Sequence, residues 1–258
     1  MPLTRRGTAL TEAVVASVLT ALLVVAALGA LAQMQRSVGR LVVRSLSDQS
    51  LRGAAQLLRS ELRDLSPAAG ELLALGPSSI SYRAMRATGI ACGAAAGRVQ
   101  VVASSWSPLR QPAAGRDSLV LLGQPGDTEA VVASSGPEVA ALCPNGVASV
   151  SLPYLSGVPD PASTAAYPAP LLVSETMEIR AYQSAGEWWI GVRSISASEI
   201  IQPALGPIAS DGFRITALDS AGVPTLALDR VAHLAFLIKS GRGDSLELHL
   251  DYSRGVWR

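Results

Sequence analysis

Hydrophobic positions follow two different periods along this chain. From residue 13 to residue 32 there is no charge at all. An apolar run of about 20 residues is long enough to span a bilayer as a helix. Helical spacing continues past it: Val38, Leu41, Val42, Leu46, Leu51, Ala54, Ala55, Leu58, Leu62 and Leu65 recur mostly at three- and four-residue steps. Arg40, Arg44, Arg52, Arg59 and Arg63 fall largely on other faces. Pro67 and Gly70 close the pattern. The spacing predicts one helix over residues 8–66, about 85–90 Å long at 1.5 Å per residue. Its apolar half covers residues 8–32. Its amphipathic half, residues 33–66, is expected to lay an apolar stripe on a globular domain. Gly29, Gly39 and Gly53 each weaken a helix by about 1 kcal/mol relative to Ala and mark candidate bends.

Beyond Gly70 the period shifts toward strands and turns. Residues 80–83, 98–102 and 118–122 read as short strands. Residues 177–182 and 188–195 flank Ser184-Ala-Gly-Glu187, which reads as a hairpin turn. Residues 213–218 form another strand, turning at Asp219-Ser-Ala-Gly222. Residues 231–238 and 246–252 form a last hairpin around Ser240-Gly-Arg-Gly-Asp244. In its second strand Leu246, Leu248, Leu250 and Tyr252 face one way, and Glu247, His249 and Asp251 the other, as in a half-buried antiparallel strand. Residues 153–170 carry five prolines and read as a long surface loop. A long helix followed by an antiparallel sheet over residues 67–258 is an α+β organisation.

Composition narrows the chemistry. The 258 residues are 49% hydrophobic and only 16% charged, enough for a sizeable core. A net charge of +1 gives no reason to expect a nucleic-acid partner. Two cysteines are present: Cys92 and Cys143 pair if the globular part lies outside the cytoplasm, and are otherwise two buried thiols. No Gly-x-Ser-x-Gly elbow, phosphate loop or zinc-spaced Cys/His set occurs, so no catalytic residue, metal ligand or cofactor is expected. Glu247, His249 and Asp251 read as a solvated strand face rather than a metal site. Arg242-Gly-Asp244 spells an adhesion tripeptide, but a tight turn calls for Gly and Asp in any case. Trp188 and Trp189 are expected to pack in the core or at a sheet edge.

The N-terminus bears the most specific signal. Glu12 is the one carboxylate at the mouth of the apolar run, and near a bilayer centre such a charge costs about 2.5–3.5 kcal/mol. A secretory signal peptide is one reading: Arg5-Arg6 forms its basic region and Ala30-Leu31-Ala32 a small-residue cleavage site before Gln33. Its apolar stretch exceeds the usual 7–15 residues. A plain signal anchor is another. Both leave Glu12 without a role. Arg36, Arg40 and Arg44 follow the run, so positive charge flanks both ends and does not fix orientation.

Arg5-Arg6-Gly7-Thr8-Ala9-Leu10-Thr11-Glu12 with the apolar run resembles the class III signal of type IV pilins and pseudopilins. The resemblance implies a leader over residues 1–7, cut after Gly7 by a prepilin peptidase, and an N-methylated Thr8 at the new terminus. Glu12 would then be neutralised by the amine of a neighbouring subunit, setting the register of assembly. Thr8 stands where most members carry Phe. Leu58-Arg-Ser-Glu-Leu-Arg-Asp-Leu65 and the passage Gln202-Pro to Asp211-Gly-Phe213 resemble W-type minor pilins and J-type minor pseudopilins more loosely. The family implies a pilin-like α+β fold and a single-pass inner-membrane protein with an extracytoplasmic head. It also implies other pilins or pseudopilins as partners, in a pilus or a type II secretion pseudopilus. The alternative is a membrane-anchored or secreted binding or adhesion module. An exported enzyme has no catalytic set to support it.

Overall fold

Helix α1 (Arg6–Leu62) runs unbroken through Gly29, Gly39 and Gly53 in the computed structural model, which describes residues 6–122, 128–131, 138–154 and 167–252. None of the three glycines interrupts it. The chain divides into two compact units, Met1–Gln49 and Ser50–Arg258. In the first, the large apolar side chains of α1 from Val14 to Val42, and Leu46, are exposed. Within this unit Val38, Leu41, Val42 and Leu46 of the expected stripe are 48–67% exposed. Periodicity marks a face of a helix, not what covers it.

In the second unit Leu51, Ala54, Leu58 and Leu62 are buried, at steps of three and four. Gly53 lets the helix approach closely, since a Cβ there would stand 3.3 Å from Leu205. The helix stops at Leu62, four residues short of the expected end. Pro67 cannot continue it and forces Ser66 into extended geometry (φ −117°, ψ 92°). The carbonyl of Leu62, without an intrahelical partner, accepts from the Tyr252 hydroxyl at 2.8 Å.

The strands are β1 (Leu72–Gly76), β2 (Ser79–Ala95), β3 (Arg98–Val102), β4 (Ser107–Pro108), β5 (Asp117–Leu121), β6 (Thr128–Val131), β7 (Val139–Leu142), β8 (Ala148–Pro153), β9 (Ala169–Ser184), β10 (Glu187–Ser194), β11 (Gln202–Leu218), β12 (His233–Ser240) and β13 (Ser245–Asp251). Among the described residues they form one antiparallel sheet ordered β13-β12-β11-β10-β9-β2-β3-β8-β7, with β1, β4, β5 and β6 off this path. The fold is therefore α+β. Strands β2, β9 and β11 are much longer than the sequence indicates, and β1, β4, β6, β7 and β8 were not foreseen. Pro153 and Pro170, assigned to the long loop, pair in β8 and β9. The middle of that loop, residues 155–166, lies outside the described residues.

Two hairpins turn on Ala-Gly pairs: Ala96-Gly97 (φ 51° and 72°) and Ala185-Gly186 (φ 51° and 84°). Two-residue turns between twisted strands want positive φ at both central positions, which glycine adopts without strain. The outer strand β13 alternates as its sequence dictates: Leu248 and Leu250 are buried, while Glu247, His249 and Asp251 are exposed.

Two apolar clusters fill the unit. One joins the end of α1 to β2, β9 to β13 through Leu58, Tyr82, Ile179, Phe213 and Phe236. The other gathers Val99, Leu119, Leu152, Leu171 and Val173. Strand β9 runs through both. Leu171, Val173, Glu175, Met177 and Ile179 are its alternate, buried positions, so a carboxylate stands where the two cores meet.

Candidate functional site

Gly7, Thr8 and Glu12 lie in the first turns of α1. Thr8 and Glu12 are four positions apart, so the helix sets them one turn from each other on one side. The Glu12 side chain is exposed, and it is the only charge between Arg6 and Arg36. From Glu12 the helix is long and apolar enough to cross a membrane, and its most apolar stretch has nothing packed on it.

In the head, Cys92 of β2 and Cys143, just past β7, form a disulfide with Cα atoms 5.7 Å apart. The bridge ties the outermost hairpin of the sheet, β7–β8, to the central strand β2 across 51 residues of sequence.

The most concentrated chemistry among the described residues surrounds Glu175. One edge of β9 is shared: β5 pairs with it up to Glu175, and β10 begins at Met177. Glu175 sits at that junction, its side chain wholly buried. Opposite it, β2 and β9 slip register between Met85 and Ala87. The slip leaves Arg86 as the extra residue, and such a bulge re-aims its side chain. The Glu175 carboxylate accepts from Arg86 Nε at 2.8 Å, from Arg110 Nη2 at 3.1 Å and from Arg116 Nε. Arg110 also grips the buried Asp117 through two bonds of 2.6 Å, and Asp117 accepts the Ala113 N–H at 2.7 Å. Arg116 reaches Glu199 at 2.9 Å, and Glu199 accepts the Ser194 N–H at 3.1 Å. Arg86 stands 3.7 Å from Glu61, which also accepts the Tyr82 hydroxyl at 3.1 Å.

Electrostatics follow the geometry. Burial alone pushes the Glu175 carboxyl up, but the Ser194 hydroxyl, Arg86 and Arg110 outweigh it and hold the group below its ordinary value. Hydrogen bonding to Asp117 raises Arg110 further, against the effect of its burial. Burial, with Glu61 beside it, keeps the Tyr82 hydroxyl protonated far above its usual range. A general base needs an accessible lone pair and a pKa near the working pH. Glu175 is wholly buried and held below its ordinary value, and its bonds clamp segments of the head together. It ties the chain before β5 and the turn after β10 to the seam between the two cores. Sequence reading missed it because its ion pairs join residues 59, 65 and 89 positions apart. One signal was present: a glutamate in the apolar register Leu171-x-Val173-x-Glu175-x-Met177-x-Ile179.

The other sequence candidates sit apart. His249 Nε2 lies 3.3 Å from Glu247, and His233 Nδ1 3.4 Å from Asp251, on the exposed face of β12 and β13. No group of three metal-ligating side chains converges among the described residues. Arg242-Gly-Asp244 falls in the β12–β13 turn, where Gly243 adopts φ 97°. Trp188 and Trp189 are both half-buried; Trp188 packs on the helix-side core and Trp189 lies over Gly206. A cleft of about 700 Å³ opens beside the cluster, between the end of α1 and the middle of β2, and Glu61, Leu65, Arg83, Arg86, Leu109 and Leu171 are among the residues lining it. Comparison of the chain with protein-family models, with curated proteins and with solved structures finds no match.

Proposed function

We propose that this chain is a minor pilin-like or pseudopilin-like subunit. It is cut after Gly7, anchored by α1 in the inner membrane, and assembled with other such subunits into a pilus or a type II secretion pseudopilus. The observation that carries the reading is Glu12, a lone carboxylate at the head of a helix whose apolar surface is uncovered. In lipid that charge is stable only beside a cation. The amine liberated at Thr8 of an adjacent subunit supplies one, and the pairing fixes how far one helix slides along the next. The uncovered apolar side chains from Val14 to Leu31 are then the surface that lipid or neighbouring helices bury. A disulfide in the head fits an oxidising compartment outside the cytoplasm.

Mass spectrometry of the mature protein tests the reading. The expected terminus is Thr8, methylated. A chain that keeps Met1, or one that begins at Gln33 after an ordinary signal peptidase, overturns the proposal in favour of an anchored or secreted module. Glu12→Val is expected to insert in the membrane and fail to assemble. Its normal incorporation into filaments refutes the pairing.

A further inference from the structure

A groove of about 730 Å³ lies along the last turns of α1 and reaches Leu246 at the start of β13. Arg52, Gln56 and Arg59 line it at helical steps of four and three, and Arg63, one residue past the helix end with its N–H still bonded to the Arg59 carbonyl, adds a third guanidinium group to the row. Among the described residues Arg52 and Arg59 have no carboxylate within pairing distance. Arg63 pairs only with its neighbour Asp64, at 3.2 Å, and its side chain is 77% exposed. The remaining lining is apolar: Ala55 and Leu246 are packed on the core below and only partly covered.

Positive charge and an apolar floor therefore meet in one place. A nucleic acid fits this poorly, because the apolar floor offers phosphates nothing and the chain as a whole carries only +1. We propose that an extended acidic segment of another polypeptide docks in this groove, along the row of arginines. Its apolar side chains rest on Ala55 and Leu246, and its carboxylates meet Arg52, Arg59 and Arg63. The three arginines span about 16 Å of helix, the length of about five residues of extended chain. The segment thus presents several acidic residues within about six positions, alternating with apolar ones. Nothing in this inference depends on cleavage after Gly7, so the two proposals fail separately.

The test uses the full chain in detergent micelles and fluorescein-labelled eight-residue peptides alternating Glu with Val or Lys with Val. Anisotropy is expected to rise with the Glu/Val peptide only. Affinity is expected to fall about tenfold in Arg52→Gln/Arg59→Gln/Arg63→Gln, the sum of three exposed charge pairs. The single variant Arg59→Gln, losing one pair, is expected to fall about twofold. Circular dichroism confirms that both variants keep the fold. Equal binding of the Lys/Val peptide, undiminished binding by the triple variant, or no binding at about 1 mM peptide overturns the proposal. Tighter binding of single-stranded DNA than of the Glu/Val peptide identifies an unspecific anion surface and overturns it too. Self-association of the chain that the triple variant abolishes replaces the proposed partner with a second copy.

Discussion

Glu175→Gln removes the charge at the seam of the head while keeping the side-chain volume. Three guanidinium groups then face a neutral amide that satisfies fewer of their donors. Breaking a buried ion pair from one side costs about 3–5 kcal/mol. Arg110 and Arg116 are about one-third exposed and keep Asp117 and Glu199, so solvent and the remaining carboxylates soften the loss. The low end, about 3 kcal/mol, is the expectation. For a unit of about 200 residues each kcal/mol moves Tm by about 2–4 °C, so the melt followed by circular dichroism at pH 7 should fall by about 10 °C. The sign of the pH dependence is set by the depressed carboxyl. The contribution is complete above the ordinary glutamate value of 4.5 and disappears as pH falls through the lower folded value. The gap between wild type and Glu175→Gln should therefore stay constant from neutral pH down to about 5 and close below about 4. The exposed Glu187→Gln serves as control. A Glu175→Gln melt within about 2 °C of wild type, or a gap that widens on acidification, refutes the idea that the clamp holds the two cores together.

Replacing Cys92 and Cys143 together by Ala should destabilise the head by up to about 4 kcal/mol, the loop-closure value for a separation of 51 residues, with a matching Tm loss when wild type is reduced. Leu58→Ala should cost about 2–5 kcal/mol in urea melts read by intrinsic tryptophan fluorescence, because Leu58 is wholly buried. Leu46→Ala, 60% exposed, should stay within about 0.5 kcal/mol in the same assay. Tyr252→Phe should cost about 1 kcal/mol in the same melts, by removing the hydroxyl donor and leaving the Leu62 carbonyl only the Leu65 N–H at 3.3 Å.

Local, periodic features were legible before any coordinates. The apolar run and the helix that carries it follow from a 3.6-residue repeat, which needs no knowledge of distant residues. Strand β13 was readable because one of its faces is wet, so its alternation is plain. The Ala185-Gly186 turn was readable because positive φ selects its residues. Gly7 and Glu12 stand out for the same reason: their setting is linear, a small residue and a single charge beside an uncharged run.

What the tertiary structure decided is whatever depends on partners far away in sequence. Val38 and Leu58 belong to one apolar stripe, yet only Leu58 is buried, because coverage comes from strands spread from β1 to β13. Strand β2 was legible only over residues 80–83, since its bulge at Arg86 and a second slip near Cys92 break the alternation. Nothing local sets Arg86, Arg110 and Arg116 apart, and Glu175 differs only in interrupting an apolar register. They become a buried clamp only because β5 ends and β10 begins on the same edge of β9, leaving a seam that apolar side chains do not fill. Sequence carries the period of each element; which charges meet is settled by where the strands pair.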